Sequence, residues 1–371
     1  KDSGIEWIGE IPEGWSIARG KHILTLLQRA VFPTDGVITC FRDGEVTLRS
    51  NRREDGFTVS LKEIGYQGIE PGDLVVHGMD GFAGSIGISD SRGKSSPVLV
   101  VLDSSQDKKY LMYYLRSMAY NNVFLALSTG IRVRSCDLKW NKLADLLYLV
   151  PPIVEQHKLV SFLDEKCSEI DAMLSKTRAS IEEYKKLKQA VITQAVATQQ
   201  CSHIKLKYLM NVIVDCPHET PTYSFTGNYY VIRTADQALA SLRRDEDMYR
   251  LDASEYKKRT RRLTLDKDDI VYGREGSWGL ACLVPQSNKY CLGQRVMQFR
   301  CNTRLLYPKY AMYALNSETV YMQGALDTIG STAPHVNIST ICNYLLPVPA
   351  LNEQKEITNY LDAKCAEIDK L

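Results

Sequence analysis

The chain of 371 residues contains one stretch of sequence twice, and this repeat constrains the fold more than any other feature. Residues 151–171 read PPIVEQHKLVSFLDEKCSEID, and residues 349–369 read PALNEQKEITNYLDAKCAEID. Over residues 151–173, ten positions are identical to the positions 198 residues later. Solenoid and propeller repeats have periods of about 20–50 residues. The spacing here therefore predicts two copies of a whole globular domain, each followed by a helix.

The duplication extends upstream of the helices. The segment KYLMYYLRS at 109–117 recurs as KYAMYALNS at 309–317, with six of nine positions identical. A weaker similarity relates residues 73–84, DLVVHGMDGFAG, to residues 269–279, DIVYGREGSWG. Each segment predicts a strand followed by an acidic-Gly-x-x-Gly turn. Two copies of one unit predict pseudo-twofold symmetry, which suits a target that itself has two halves.

A heptad pattern begins at Val160 and predicts a long helix. No Gly or Pro interrupts residues 155–198, and a helix of this length would measure about 66 Å. The predicted coiled-coil positions are Val160, Leu163, Cys167, Ile170, Leu174, Ile181, Tyr184 and Val191 in the first copy and Leu361, Cys365 and Ile368 in the second. The second copy is the natural partner of the first, with Cys167 and Cys365 expected as small buried hydrophobes. Its seam stops at Leu371, which leaves open whether that helix continues.

Composition bounds the class of protein. A hydrophobic fraction of 44% is ordinary for globular domains, and no apolar run approaches the roughly 18–20 residues that span a bilayer. Ten scattered cysteines favour reduced thiols and a cytoplasmic location. Short β-branched runs and Gly-rich turns predict an α+β fold with mixed helices and strands. The predicted boundaries are a first recognition domain at 1–150, a central helix at 151–200, a second domain at 201–347 and a second helix at 348–371.

Two motifs come close to known ligand sites. Residues 87–95 end like a phosphate-binding loop, but five residues rather than four separate the two glycines, which favours an ordinary turn. The pairs Cys201/His203 and Cys216/His218 could ligate zinc, but their spacing is unusual and the other copy has no equivalent. Nucleophile and metal-hydrolase motifs are absent from the sequence, so we predict no metal site, no catalytic residues and no enzymatic activity of the chain itself.

Cationic side chains are the strongest sign of a nucleic-acid partner. Net charge is only +2, but residues 201–347 hold 18 basic against 14 acidic side chains. Phosphate contacts need such charge, and base reading needs Arg, Asn or Gln on loops. The candidate DNA-binding residues are Arg49, Arg52, Arg53, Met79, Asp80, Arg132, Arg134, Lys257, Lys258, Arg259, Arg261, Arg262, Arg274, Arg295 and His335. The alternative for each run of charge is a solvated surface.

The repeated motifs resemble a known family. The Pro-x-x-x-Glu-Gln helix entry, the Leu-Asp-x-Lys-Cys-x-Glu-Ile-Asp core and the opening EWIGEIPEGW at 6–15 are similar to specificity subunits of type I restriction-modification systems. The resemblance implies two target recognition domains in inverted orientation. It also implies that two conserved helices hold these domains apart as an antiparallel coiled coil.

The same resemblance implies a function. Each domain would read one half of a split site in double-stranded DNA, and the helices would span the unread spacer. The helices would also dock two methyltransferase subunits, which restriction (translocase) subunits join. S-adenosylmethionine, ATP and Mg²⁺ would bind to these partners, and the chain itself would need no cofactor. Arg259 and Arg262 are expected to contact phosphates, and Arg134 and Arg274 to contact bases.

Three alternatives stay open at this point. The chain could belong to a related system that cuts on both sides of its site, or it could be a coiled-coil interaction protein that does not bind DNA. It could also be a nucleic-acid enzyme whose active site has no recognised motif.

Overall fold

The computed structural model describes residues 1–5, 7–52, 63–126, 138–197, 201–276, 278–326, 328 and 335–371. Arg53, Arg132 and Arg134 of the predicted DNA-binding set lie outside these residues. The chain divides into two compact units, Lys1–Met173 and Leu174–Leu371. Among the described helices, none has a stretch long and apolar enough to cross a bilayer.

Unit 1 is built on an antiparallel four-stranded sheet in the order β2-β9-β6-β7, with three two-stranded pairs around it, β1-β10, β3-β4 and β5-β8. Its strands are β1 (Ser16–Arg19), β2 (Leu24–Leu26), β3 (Ile38–Cys40), β4 (Val46–Leu48), β5 (Gln67–Ile69), β6 (Leu74–His77), β7 (Ile86–Ile88), β8 (Gly93–Ser95), β9 (Leu99–Ser104) and β10 (Leu147–Val150). Its helices are α1 (Lys108–Tyr120), α2 (Val123–Ala126) and α3 (Trp140–Asp145). A longer helix, α4 (Ile153–Val196), starts in unit 1 and ends in unit 2.

Unit 2 contains an antiparallel four-stranded sheet in the order β12-β20-β17-β18, a three-stranded sheet β16-β13-β19, and the pairs β11-β21 and β14-β15. Its strands are β11 (Ser202–Lys205), β12 (Met210–Asp215), β13 (Tyr229–Ile232), β14 (Gln237–Ala238), β15 (Ser241–Leu242), β16 (Arg250–Leu251), β17 (Ile270–Gly273), β18 (Ala281–Leu283), β19 (Tyr290–Leu292), β20 (Val296–Cys301) and β21 (Leu345–Val348). Its helices are α5 (Leu206–Leu209), α6 (Ala253–Arg259), α7 (Pro308–Leu315), α8 (Glu318–Ala325), α9 (Ile338–Cys342) and α10 (Leu351–Ile368).

The two four-stranded sheets correspond strand for strand, which confirms the mixed α+β fold. Strands β6 and β17 each lead into the acidic-Gly-x-x-Gly turn that the sequence repeats. The last glycine of each turn is left-handed, with φ +90° at Gly84 and +91° at Gly279. A Cβ at Gly84 would come within 3.0 Å of the Tyr120 hydroxyl, and one at Gly279 within 2.6 Å of the Tyr321 ring. Glycine is needed at both positions for the same two reasons, backbone conformation and close packing.

The motif that looked like a phosphate loop has a different structure. Residues Gly93–Ser95 form strand β8, which pairs with β5 in antiparallel register. The sequence analysis favoured an ordinary turn here, and the strand corrects that prediction. The backbone amides of this strand are used in sheet pairing and are not arranged around an anion.

One buried side chain fixes the start of α4 to unit 1. The Oε1 atom of Gln156 accepts a hydrogen bond from the backbone N–H of Asp107 (3.0 Å). Its Nε2 donates to the carbonyl of Pro151 (2.8 Å) and to Oε1 of Gln106 (2.8 Å). Because Asp107 is the N-cap of α1, Gln156 joins the beginning of α4 to the beginning of α1.

The same bonding recurs in unit 2. Gln354 at the start of α10 accepts from the backbone N–H of Tyr307 (2.7 Å), which is the N-cap residue of α7. Its Nε2 donates to the carbonyls of Leu305 (3.0 Å) and Pro349 (2.9 Å). Both glutamines are fully buried. The repeated Glu-Gln pair in the sequence thus has a structural cause, since the Gln attaches each helix to its domain.

A carboxylate two turns later adds a second attachment. Asp164 on α4 accepts hydrogen bonds from Nζ of Lys109 (2.8 Å) and from the hydroxyl of Tyr113 (2.8 Å), both on α1. The bond from Lys109 is the main reason that the pKa of Asp164 is lowered. In unit 2 the equivalent bonds join Asp362 to Lys309 and Tyr313.

The predicted heptad seam of α4 is buried only at its ends, and this corrects the prediction in part. Val160 is buried, Leu163, Tyr184 and Val191 are half-buried, and Cys167, Ile170, Leu174 and Ile181 are exposed. Near its C-terminal end α4 buries Ile192 and Val196, which pack in one cluster with Leu361 and Cys365. The buried stripe lies one residue away from the predicted one because this end of α4 packs against a globular domain as well as against α10.

The two equivalent cysteines have different environments. Cys365 is buried with Leu361, and Ile368 is buried one turn further on, as predicted. Cys167 is exposed, so its prediction as a buried hydrophobe was wrong. In unit 2 the last turns of α4 cover the face of α10 that carries Cys365, whereas no segment in the described part of unit 1 covers the equivalent face of α4.

We predict that Gln354→Ala destabilises unit 2 by roughly 2–4 kcal/mol, because it leaves the amide of Tyr307 and two carbonyls buried without partners. Chemical denaturation of the full chain, followed by a probe in unit 2, measures this loss. Lys355→Ala is the matched control, since Lys355 is the exposed neighbour on the same helix. Equal effects of the two variants would contradict the role assigned to Gln354.

A second prediction concerns pH. The folded-state pKa of Asp164 lies below its ordinary value of about 4, so its contribution to stability is present at higher pH. That contribution is lost as pH falls through the folded-state pKa. Melting temperatures of wild type and Asp164→Asn should therefore differ at neutral pH and converge in acid. The control Glu165→Gln, at an exposed position, should follow wild type throughout. A constant gap would show that the charge of Asp164 is not what matters.

Candidate nucleic-acid interface

The candidate interface of unit 2 begins with a loop that a buried arginine holds in place. Arg259, at the end of α6, is 6% exposed. Its guanidinium donates to the carbonyls of Pro217 (3.3 Å) and Glu219 (2.7 Å) on one side. On the other side it donates to the carbonyls of Leu292 (2.9 Å) and Gly293 (3.1 Å). The predicted phosphate contact by Arg259 is therefore corrected, since its donors are used inside the domain.

The exposed cations of the same run surround this loop. Lys257, Lys258, Arg261 and Arg262 are all exposed. Lys258 pairs with Glu219 (2.8 Å), and this bond raises the pKa of Lys258 and lowers the pKa of Glu219. The run and the loop line a shallow cavity of about 150 Å³. A concave site with several flexible cations is suited to phosphate oxygens.

A second loop cluster includes the turn that follows β17. Arg274 forms an ion pair with Glu275 (2.7 Å), and its Nε lies 3.4 Å from a carboxylate oxygen of Asp215. Its side chain is only 10% exposed. His335 forms an antiparallel bridge with Glu275, and the carbonyl of Arg295 accepts the backbone N–H of Arg274 (2.8 Å). The structure thus brings together three residues that lie far apart in sequence, Arg274, Arg295 and His335.

Burial changes what Arg274 can do. A guanidinium that is only 10% exposed and ion-paired with two carboxylates is poorly placed to reach a base edge. The side chain of Arg295 is 61% exposed, and its Nε lies 4.0 Å from Glu275. The geometry therefore does not support the predicted base contact by Arg274, and it leaves Arg295 as the more accessible cation of the pair.

Two further polar residues lie at this surface: Gln294, which the sequence analysis missed, and His218, which it considered only as a zinc ligand. Gln294 donates from Nε2 to the hydroxyl of Thr220 (3.2 Å), which joins the Arg295 turn to the loop held by Arg259. His218 bonds Asp215 (2.9 Å) and is exposed. The Gly-Gln-Arg sequence, which the structure places between β19 and β20, could have identified Gln294, because Gln is a common reader of adenine.

In unit 1 the predicted residues Arg49, Arg52 and Asp80 line one cavity of about 640 Å³. Arg42 also lines it and pairs with Asp80 (3.1 Å), a contact that the sequence analysis missed. Met79 lies beside Asp80 and is 52% exposed. The cavity thus places cations and a carboxylate within reach of one ligand, and Met79 is the chain neighbour of a lining residue.

The electrostatics of this cavity are balanced. Arg52 pairs with Asp43 (2.6 Å) and Glu45 (3.0 Å), and its guanidinium lies 4.2 Å from the ring centre of Phe41. Burial lowers the pKa of His77, so this side chain is neutral at pH 7 and accepts the backbone N–H of Asp80 (3.0 Å). A cavity of paired charges favours ligands that offer both donors and acceptors, as base edges do.

Metal ligands are the other chemistry raised by the sequence. Cys216 is buried, and burial raises the pKa of its thiol, which opposes the thiolate that zinc requires. Within the described ranges, no group of three or more His, Cys, Asp or Glu side chains is placed to hold a metal ion.

Comparison with known proteins agrees with the motifs and the fold. The family model described as type I restriction modification DNA specificity domain matches residues 216–370. The EcoKI specificity subunit of Escherichia coli (strain K12) is 23% identical over 211 residues, which cover 51% of this chain and 44% of that subunit. The match thus spans less than half of the relative's length.

Solved structures share the fold. One is described as the structural basis underlying complex assembly and conformational transition of the type I R-M system. It has a TM-score of 0.68 at 15% identity, and the match covers 97% of this chain and 92% of that chain. The HsdS subunit from Thermoanaerobacter tengcongensis has a TM-score of 0.51 at 14% identity, with 100% of this chain and 92% of that chain covered. These likenesses show the fold, and the family model identifies residues 216–370 as similar to the DNA specificity domain of type I restriction-modification systems.

Proposed function

We propose that the chain is a DNA-recognition subunit that reads a two-part site in double-stranded DNA. In this proposal residues 1–150 and 201–347 are the two readers, and residues 151–200 and 348–371 are the helices that connect and space them. No catalytic step is assigned to the chain itself, in keeping with its family. A subunit that reads DNA in this way would work in the cytoplasm.

The proposal rests on one contrast. The residues that attach each helix to its domain are equivalent in the two units, whereas the turns after the corresponding strands differ. Gln156 and Gln354 each accept the backbone N–H of an N-cap residue and donate to the proline carbonyl at the helix entry, and Asp164 and Asp362 each bind a Lys and a Tyr. The turns that follow β6 and β17 instead differ in chemistry, Met79-Asp80 in one unit and Arg274-Glu275 in the other. Two domains that are attached to their helices in an equivalent way but carry different loops suit the recognition of an asymmetric site.

Partner docking is the second part of the proposal. Large apolar side chains are exposed along α4, at Phe162, Ile170, Met173, Leu174, Ile181 and Leu187. An exposed apolar stripe of this length favours a protein partner. We propose that two methyltransferase subunits dock here and that restriction subunits join them. S-adenosylmethionine, ATP and Mg²⁺ would bind to those partners.

The proposal predicts a split DNA motif. Random duplexes selected by the chain together with its methyltransferase partner, at moderate salt to suppress phosphate-only binding, should yield two half-sites with a fixed gap. A single continuous motif would mean that only one unit reads DNA. No enrichment would favour an interaction protein that does not bind DNA. Cleavage or methylation of DNA by the purified chain alone would favour an enzyme with an unrecognised site.

The roles within the basic run can be separated. Arg262→Ala should weaken binding to all duplexes and reduce the slope of log K against log salt by about 0.9, because one phosphate contact is lost. Arg259→Ala should instead lower the melting temperature, because four carbonyls lose their donor. Lys355→Ala, which removes an exposed charge from α10, is the control for net charge. A smaller salt slope for Lys355→Ala as well would mean that the effect is not local.

A further inference from the structure

Arg295 has an unusual backbone conformation. Its φ is +69°, in the left-handed region. The other non-glycine residues with positive φ in the described chain are Asn122, Ala240, Asp268 and Asn288. Asn and Asp tolerate this region because their short side chains bond locally, whereas a long side chain gains no such bond and the conformation costs free energy. Such strain persists where the surrounding structure enforces it, and it concentrates at functional sites.

The bonds that enforce the conformation are local to this loop. The carbonyl of Arg295 accepts the backbone N–H of Arg274 (2.8 Å) and that of Glu275 (3.4 Å). Two residues earlier, the carbonyl of Gly293 is bound by the buried Arg259 (3.1 Å). Gly293 also sits so close to Ile232 that a Cβ would come within 2.8 Å of its carbonyl oxygen. The turn 293–295 is thus fixed on both sides.

The fold itself does not require the strain. In unit 1 the equivalent residue is Val98, whose carbonyl accepts the backbone N–H of Gly78 (2.8 Å), just as that of Arg295 accepts Arg274. The next bond is also repeated, from the amide of Leu138 to Gly78 in unit 1 and from Val336 to Arg274 in unit 2. Val98 is not among the described residues with positive φ. The same hydrogen-bond pattern therefore forms without a left-handed residue.

The strained backbone presents an accessible guanidinium. The side chain of Arg295 is 61% exposed, and its Nε lies 4.0 Å from Glu275, beyond hydrogen-bond distance. Glu275 is already bonded to the buried Arg274 (2.7 Å). Gln294, with an amide that suits an adenine edge, precedes Arg295 in the same turn. The planar fork of arginine matches the O6 and N7 acceptors of guanine, and lysine cannot reproduce it.

We propose that Arg295 is the residue with which unit 2 reads a guanine of its half-site, and that the left-handed backbone fixes the direction of its guanidinium. This inference rests on the proposed function and names one reader within it. Glycine would relieve the strain, so the presence of arginine here is explained by its side chain. The strained backbone of Arg295 lowers the stability of the fold, and proteins retain such strain where activity requires a fixed geometry.

The test compares three variants of the full chain, each with its methyltransferase partner. Arg295→Gly and Arg295→Lys should each lose the preference for guanine at one position of one half-site, by roughly ten- to a hundredfold, with the other half-site unchanged. The melting temperature of Arg295→Gly should stay at or above that of wild type, because glycine adopts positive φ without strain. Arg261→Ala is the control, with weaker binding and unchanged sequence preference.

The outcomes separate the inference from the proposed function. If wild type selects no split motif, the proposed function fails. If wild type selects one and Arg295→Gly keeps the same preference in both half-sites, Arg295 is not a reader. If Arg295→Lys keeps the preference and Arg295→Gly only reduces the salt slope, Arg295 contacts a phosphate and the inference is overturned.

Discussion

The structure depends on one buried amide in each unit. Gln156 and Gln354 each accept one backbone N–H from the start of a domain helix and donate to backbone carbonyls around the helix entry. Because both sides of the amide are used and the side chain is fully buried, rotation of the helix would leave several polar groups unsatisfied. Pairing of Asp164 and Asp362 with a Lys and a Tyr then fixes a second point along each helix. Each helix is thereby attached to its domain in a defined direction, and the loops can vary without disturbing it.

Buried arginines hold the loops of unit 2 in place, as the buried glutamines hold the helices. Arg259 binds carbonyls from two separate loops, and Arg274 binds Asp215 and Glu275. Guanidinium groups have five donors and no acceptor, so each can join several segments of irregular backbone that have no partners of their own. The charge that makes such residues resemble phosphate ligands in a sequence is here used to order the surface. Exposed neighbours such as Arg262 and Arg295 then lie on a surface of fixed backbone.

The sequence predicted the repeated parts well and the unrepeated parts poorly, for a physical reason. Helix entries and sheet strands follow from local patterns, and their duplication at a domain-length spacing identified both α4 and α10. Heptad periodicity gave the helix but not its buried face, because Ile192 and Val196 pack against a globular domain that periodicity does not describe. Counting charges found the basic run, yet it could not distinguish the buried Arg259 from the exposed Arg261. That distinction depends on which carbonyls lack partners after folding, and these lie 33 to 42 residues away from Arg259 in the chain.

The sequence did not predict the left-handed backbone of Arg295, and this backbone conformation distinguishes the two units. Val98 and Arg295 occupy equivalent positions with the same backbone hydrogen bond, yet only Arg295 is left-handed. A conformation that the shared fold does not demand must come from the loop that surrounds it, which here means the turn 293–295 and its contacts with Arg259 and Arg274. In the function proposed above, specificity could change by replacing a loop, while the sheet beneath and the glutamine attachment stay as they are. The duplicated architecture would then separate two demands, since the repeated residues maintain geometry and the unrepeated ones would select the ligand.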